Sequence, residues 1–329
     1  MTPTAVIQVK PGIGDVIWHL PFIRAIASAT PGGQVTFLTP PSSHAKELLA
    51  AETAVAETIY FEHHGSELKR GINQIRLVRL LRAGHFKTVW VLDRTTRPAL
   101  AAWLARIPER IGLGLGRQSA FLTNAGIDHS HFHDHPIDWL RALMAAMNVP
   151  LPSTEPELRL PATALEAVGL KFLRFARPWI VLGIGASHPD KDWPDESWAA
   201  FIEALRSRTA GTVFLIGGAP NLPRATRLIA SGPGAAAVNA CDLDLIEAAA
   251  LLRLADLFVG PSSGPMNLAA AVGTEAFGLF GTTPVLTYSK FIHAIVPEGG
   301  PCRDGMRLIA PERVLAEIAP YLTRRKQAP

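Results

Sequence analysis

The sequence predicts an α/β protein of two doubly wound units, and three observations predict it. Apolar runs of strand length alternate with amphipathic runs of helix length along nearly the whole chain, the pattern of parallel strands joined by crossover helices. That alternation is interrupted once, at residues 149–161, by VPLPSTEPELRLP, which is proline-rich and has no helical period. At 329 residues the chain also exceeds the roughly 150 residues that one core ordinarily serves. The expected domains are residues 1–155 and 156–329.

The first unit opens with a buried strand over residues 5–9. A glycine-bearing turn, Lys10-Pro11-Gly12-Ile13-Gly14-Asp15, leads to a helix over 16–29, with Ile17, Leu20, Ile23 and Ala27 on one face. Asp15 stands at the turn-to-helix junction and has two readings. One is an N-cap, accepting from a free helix N–H; the other is a carboxylate held at the mouth of the sheet as a general base. Strands over 34–38 and 58–61 then flank a helix over 42–50. The helix over 67–81 carries Lys69, Arg70, Arg76, Arg79 and, just beyond it, Arg82, most simply a solvated face, alternatively a contact for an anionic acceptor. A strand over 88–92 ends at Asp93; a helix over 97–105 and a short strand over 110–112 follow. The histidine-rich tract at 128–135, DHSHFHDH, alternates along a loop rather than presenting ligands on one face, so it reads as a polar loop or acceptor-site wall before a metal site. A helix over 136–147 closes the unit.

After the proline-rich linker comes a helical segment over 162–176, and the alternation restarts. Strands are expected over 179–183, 212–216 and 236–238, with helices over 195–208, 224–231 and 243–254. The loop Gly185-Ala186-Ser187-His188-Pro189-Asp190-Lys191 puts small residues, a hydroxyl and a lysine directly after a strand, where a lysine neutralises phosphate as a compact charge; a solvated surface loop is the plainer alternative. Gly217-Gly218 makes a tight turn, with backbone geometry alone as its plainer reading. Residues 257–284, LFVGPSSGPMNLAAAVGTEAFGLFGTTP, read as strand, loop, small-residue helix over 265–272, strand and loop, and they organise the unit. A helix N-terminus between two loops at one sheet edge suits a phosphate or pyrophosphate. A last helix spans 311–322. Two such Rossmann-like halves would leave a cleft between their strand C-terminal edges, where ligands of open α/β sheets bind.

Bulk properties narrow the function classes. A net charge of +4 and pI of about 9.3 permit an acidic substrate or an anionic membrane surface, and equally an ordinary basic protein. Two cysteines far apart give neither a disulfide framework nor a zinc site, as in a reducing compartment. No stretch approaches the ~18 apolar residues of a bilayer span, and the N-terminus lacks a signal-peptide pattern, so membrane contact would be peripheral. A nicotinamide-dependent oxidoreductase would need G-x-G-x-x-G with an acidic ribose partner, which the chain lacks.

Taken together, four places resemble glycosyltransferase family 9, the lipopolysaccharide heptosyltransferase family, over nearly the whole chain. They are Gly14-Asp15 with Leu20-Pro21 and Ala25-Ile26; Gly185-Ala186-Ser187 with Lys191 and Trp193-Pro194; Gly217-Gly218; and Gly264, Leu268-Ala269-Ala270-Ala271, Gly273, Leu279-Phe280-Gly281 and Thr283-Pro284. The resemblance implies the GT-B fold, two Rossmann-like domains facing each other across a cleft. It also implies inverting transfer of a heptose or related sugar from a nucleotide-diphosphate donor to a lipid-linked oligosaccharide, with no metal and no cofactor. Asp15 matches the general base. Gly14, Ser187, Lys191, Gly217, Gly218, Ser262, Ser263, Gly264, Pro265 and Asn267 fall at donor-side positions. The expected location is cytoplasmic, with peripheral contact at the inner membrane and no nucleic-acid partner. Three positions depart from the family: Ser262-Ser263-Gly264 replaces Asp-Thr-Gly, Asn267 replaces a histidine, and Leu222 stands where a glutamate faces the nucleotide ribose. They keep a second reading open, a catalytically silent relative that binds a nucleotide sugar or glycan.

Overall fold

The structure is a computed structural model describing residues 3–322 except 125, 187, 231–236 and 287. The chain divides into two compact units, Met1–Thr154 and Glu155–Pro329, a division that falls inside the proline-rich stretch.

The first unit has strands β1 (Thr4–Ile7), β2 (Val35–Thr39), β3 (Val55–Tyr60), β4 (Thr88–Val91) and β5 (Glu109–Gly112). They form one parallel sheet in the order β3-β2-β1-β4-β5. Its helices are α1 (Ile13–Ser28), α2 (Ala45–Leu48), α3 (Glu67–Ala83), α4 (Thr96–Leu104) and α5 (Pro136–Ala146). Every residue of β1 and β2 is buried, because crossover helices cover both faces of a parallel sheet. The helix expected over 42–50 is shorter. Pro40 and Pro41 start a 3₁₀ turn, Pro41–Ser43, and His44 then adopts φ 52°, a left-handed backbone that separates the turn from the four-residue α2.

The second unit repeats the plan with one more strand: β6 (Trp179–Gly183), β7 (Thr212–Ile216), β8 (Ala237–Asn239), β9 (Leu257–Pro261), β10 (Glu275–Leu279) and β11 (Ile292–Ile295). All pair in parallel, in the order β11-β10-β9-β6-β7-β8. Helices α6 (Ala162–Lys171), α7 (Asp195–Arg206), α8 (Leu222–Ala230), α9 (Leu245–Leu254), α10 (Gly264–Ala271), α11 (Gly305–Leu308) and α12 (Pro311–Leu322) accompany them. The expected ends at 231 and 236 lie outside the described residues. Strand β11 escapes a pattern reading because His293 interrupts its short apolar run. Helix α6 stops at Lys171 rather than running to 176. Phe172 turns inward there, its ring 5.0 Å from Phe214 and 6.3 Å from Trp179. The core includes fully buried Trp193 and Trp198, edge to face at 4.8 Å, and the Trp193 indole N–H donates to the Ile309 carbonyl at 3.0 Å.

In both sheets the strand order reverses once, between β1 and β4 and between β6 and β9. The loops leaving these neighbours run to opposite faces and open a crevice at the strand C-terminal ends, the usual ligand position in such sheets.

Candidate active site

At the first switch point, Gln8 continues β1 beyond its end. Its amide donates to the Leu38 carbonyl at 3.0 Å, and its buried side chain accepts from Thr39 Oγ1 at 2.7 Å and donates to the Lys10 carbonyl at 2.9 Å. Lys10 thus leaves the sheet in a fixed direction. Asp15 is not an N-cap: α1 begins at Ile13, Gly12 is the cap, and Asp15 is the third helical residue. Its Oδ2 reaches back to accept the Gly12 amide N–H at 3.1 Å. A Cβ on Gly12 would lie 2.8 Å from that oxygen, so glycine there leaves the carboxylate its place. Oδ1 stands 4.0 Å from Lys10 Nζ, with the Lys10 and Asp15 side chains 39% and 33% exposed. One oxygen is anchored and the carboxylate remains open to solvent, which is what a base needs to meet an incoming hydroxyl. Gly14 is the second residue of the same helix.

Two buried titratable side chains stand behind Asp15. His19, one turn along α1, has Nδ1 2.5 Å from the Asp15 carbonyl, which selects the tautomer with the proton on Nδ1. Burial holds its pKa below the ordinary imidazole value, against the pull of the Asp15 carbonyl and charge. Asp93, just past β4, has its carboxyl raised by burial, opposed by hydrogen bonds from the Thr95 hydroxyl and from the Thr95 amide at 2.7 Å. Lys10 is charge-coupled to both groups, disfavouring a cation at His19 and favouring an anion at Asp93. The buried Gln118 amide ties this loop down, donating to the Asp93 and Thr95 carbonyls at 2.7 and 3.0 Å and accepting from the Gly114 N–H at 2.9 Å.

Beside it lies a cavity of about 80 Å³, walled in part by Val9, His63, Arg70, Asn73, Thr95 and Arg97. Burial, then the charges of His64 and Arg97, push the His63 pKa down to about 4. His63 Nδ1 and Arg70 Nε are buried without a hydrogen-bond partner among the described residues. The histidine-rich tract folds into a 3₁₀ turn, His129–His133, in which His131 Nδ1 bonds Asp134 at 2.7 Å, and His135 caps α5 by accepting the Ile137 N–H at 3.3 Å. Among the described residues no cluster of three or more His, Cys, Asp or Glu is placed to hold a metal ion.

At the second switch point the loop after β6 carries Gly185, Ala186 and Lys191; Ser187 lies outside the described residues. Lys191 ends a 3₁₀ turn, Pro189–Lys191, is partly exposed and has no ion-pair partner among the described residues. Arg224 of α8 staples this loop. Its Nη1 donates to the Ile184 carbonyl and to Asp192 Oδ2 at 2.5 Å, Nε to Asp195 Oδ1 at 2.6 Å, and Nη2 to the Trp193 carbonyl at 2.9 Å. Burial raises the Asp192 carboxyl, and the Arg224 charge opposes that rise. Asn221 joins this loop to the Gly217-Gly218 turn, its Nδ2 donating to the Gly217 carbonyl at 2.5 Å. A Cβ on Gly185 or Gly217 would lie 2.7 or 2.9 Å from the Asn221 side chain, so both glycines are required for that approach. Gly218, at φ 72°, makes the turn itself. Leu222 packs against the unit's hydrophobic core.

The loop after β9 completes the edge. The Ser262 amide is spent on the Leu279 carbonyl at 3.2 Å, and Ser263 is the N-cap residue of α10. Its hydroxyl does not cap: it donates back to the Pro261 carbonyl at 3.2 Å. Pro265 occupies the first turn, Gly264 and Asn267 flank it, and 262–265 and 267 are all partly exposed. The N-terminus of α10 is therefore presented without a side-chain cap, a ready position for an anion.

Lys10, Arg224 and Asn221 escaped the sequence reading. Lys10 lies five residues before a recognised carboxylate, a usable signal. Arg224 and Asn221 act through contacts that only the folded loops create.

A family model described as glycosyltransferase family 9 (heptosyltransferase) matches residues 74–293. Among solved structures, the E. coli ADP-heptose LPS heptosyltransferase II superposes with a TM-score of 0.78 at 23% identity, over 98% of each chain. A glycosyl transferase family 9 protein of Veillonella parvula DSM 2008 gives 0.78 at 19%, over 97% of this chain and 96% of that one. An E. coli heptosyltransferase solved with ADP-2-deoxy-2-fluoro heptose gives 0.74 at 19%, over 96% and 98%. No curated protein matches the chain. The shared fold is GT-B, and the matched residues run from α3 in the first unit to β11 in the second. By that match the chain belongs to glycosyltransferase family 9, the heptosyltransferase family, and is a glycosyltransferase.

Proposed function

We propose that this protein transfers a heptose-like sugar from a nucleotide-diphosphate donor to a lipopolysaccharide or related envelope glycan, inverting the anomeric centre without a metal, at the cytoplasmic face of the inner membrane. The observation that carries the reading is the family match over residues 74–293, which takes in Lys191 and the uncapped α10. Asp15 takes the proton of the acceptor hydroxyl as that oxygen attacks the anomeric carbon; the sugar–phosphate bond breaks on the opposite face and the nucleotide diphosphate departs. One carboxylate serves a single displacement, which inverts configuration. Lys191 and the first-turn amides of α10 meet the charge that develops on the leaving diphosphate, the task a metal performs elsewhere. Two relatives of this fold are described as an ADP-heptose enzyme and as bound to an ADP-heptose analogue, which supports that donor class.

The purified protein, offered a panel of nucleotide sugars with envelope acceptor, is expected to release free nucleotide diphosphate, and Asp15→Ala to abolish the release. Chelation with EDTA is expected to leave the rate unchanged; loss that a divalent ion restores would overturn the metal-free step. Leu222 in the core and uncharged Ser262 and Asn267 favour a second reading, a silent nucleotide-sugar binder. Binding without turnover for every donor would decide for it.

A further inference from the structure

Helix α3 is apolar on two faces. Leu77, Val78 and Leu81 are buried in the core of the first unit. Leu68, Ile72 and Ile75, spaced i, i+4, i+7, form a second stripe about half a turn away, and they are 77%, 42% and 54% exposed. Lys69, Arg76, Arg79 and Arg82 are exposed around and beyond that stripe, and Glu67 is the helix's one acidic residue. The basic end continues onto α4, where Arg82 Nη2 donates to the Leu104 carbonyl at 2.8 Å and both Trp103 and Leu104 are exposed. A solvated helix has no use for three outward aliphatic side chains, whereas an interfacial helix combines apolar insertion with a basic surround.

Position supports the same occupant. Helix α3 follows β3, so it starts at the C-terminal edge of the sheet, the edge from which the Asp15 loop emerges. The exposed aliphatic half is the half at that edge, and Arg70, Asn73 and Gln74 on the inner side wall the cavity beside Val9 and Thr95. We infer that the outer face of α3 docks the protein on an anionic lipid bilayer. Leu68, Ile72 and Ile75 enter the headgroup boundary, the Lys and Arg side chains meet lipid phosphates, and the first switch point sits where a lipid-linked hydroxyl is presented. The inference rests on the acceptor being lipid-linked, as proposed above.

The test is flotation with vesicles of phosphatidylcholine alone or mixed with phosphatidylglycerol, using the full chain without donor or acceptor. Wild type is expected to float with the anionic vesicles and to be released by salt. Ile72→Gln with Ile75→Gln is expected to lower partitioning about tenfold or more. Arg76→Gln with Arg79→Gln is expected to lower it by about tenfold, on anionic vesicles only. All four positions are exposed, so thermal stability of the variants stays at the wild-type value. Failure of wild type to float, or flotation unchanged in both double variants, overturns the inference. So does a dimer in sedimentation that the Ile72→Gln, Ile75→Gln variant dissolves without any vesicle binding, since the face then belongs to a second copy. Flotation with no turnover of any nucleotide sugar would sink the proposed function and leave membrane docking standing. Turnover with a delipidated acceptor, equal in wild type and the Ile72→Gln, Ile75→Gln variant, together with that variant's loss of flotation, supports docking as a step apart from the chemistry.

Discussion

The two switch points use different materials. At β1/β4 the polar groups are side chains, several of them buried: Asp15 anchored by one oxygen, Lys10 beside it, His19 and Asp93 behind, Gln8 and Gln118 pinning the loops. At β6/β9 they are chiefly backbone: an uncapped helix start, glycines that make room for Asn221, and one lysine with no ion-pair partner among the described residues, with Arg224 holding the loop. On the proposed mechanism the first site holds a proton acceptor, a particular atom with a particular charge, which calls for titratable groups under control. The second would hold a diphosphate, which spreads its charge over several oxygens and calls for many weak donors and close access. The comparison fails if variants at the two sites behave alike.

The largest effect is expected at Asp15. Asp15→Asn keeps the shape and removes the proposed base, and it is expected to lower the transfer rate by about 10²–10⁴-fold. Donor affinity should move little, because every expected donor-side position except Gly14 belongs to the other unit. Calorimetric donor binding beside initial rates of diphosphate release measures both, and a tenfold loss of donor affinity would break the division of labour. Lys191→Met is the counterpart. It is expected to lower the rate by about 10²–10³-fold and to weaken donor binding as well, since in the proposed mechanism the lysine meets phosphate in both ground and transition states. An unchanged donor affinity would place Lys191 outside the donor site.

What the sequence discloses follows the same contrast. The alternation that sets both sheets is legible because burial on both faces forces continuous apolar runs, as in β1, β6 and β7, and crossover helices keep a 3.6 period. Asp15, Lys191 and the 262–265 loop are legible because each lies in the segment that follows such a run. What stays hidden depends on distant partners. Asp15 reads as a possible cap, yet it bonds backward to Gly12. Gly217-Gly218 reads as turn geometry, yet Gly217 and Gly185 make room for Asn221. Arg224 joins residues 29 to 40 positions away in sequence, from Asp195 to Ile184, and no local pattern encodes that.

Arg224 gives the third test. Arg224→Met leaves Asp192 partly buried without its cation and frees two carbonyls. About 2–3 kcal/mol of stability in the second unit is expected to be lost, a buried-pair value discounted for the partial exposure of the carboxylates. Arg224→Lys is expected to recover little, because an ammonium cannot reproduce the fork that reaches two carboxylates and two carbonyls. Thermal unfolding with and without donor reads both terms. Full rescue by lysine would mean that charge alone holds the loop.

The smallest effect concerns pH and again separates the units. The three described histidines whose pKa burial lowers, His19, His63 and His135, all belong to the first unit. For each, the folded state refuses a proton that the unfolded chain accepts below its ordinary value of about 6.5. Their contribution to stability is therefore present above that value and is lost as pH falls through the lowered folded pKa, which for His63 is about 4. Asp93 acts with the opposite sign. Its carboxyl is raised, so its contribution is present below the unfolded carboxylate value and lost as pH rises through the folded one. As pH falls from 7 the histidines pull stability down and Asp93 opposes them, and each unit of separation between folded and unfolded pKa is worth at most about 1.4 kcal/mol. Hydrogen exchange at pH 7 and 5, corrected for intrinsic rates, is expected to show protection falling in β1, β4 and α1 while β6 and β9 hold. His19→Gln is expected to flatten the fall without moving donor affinity. An equal loss of protection in both sheets would mean that these imidazoles do not set the acid response, and the first switch point would lose its claim to be the titrating half of the enzyme.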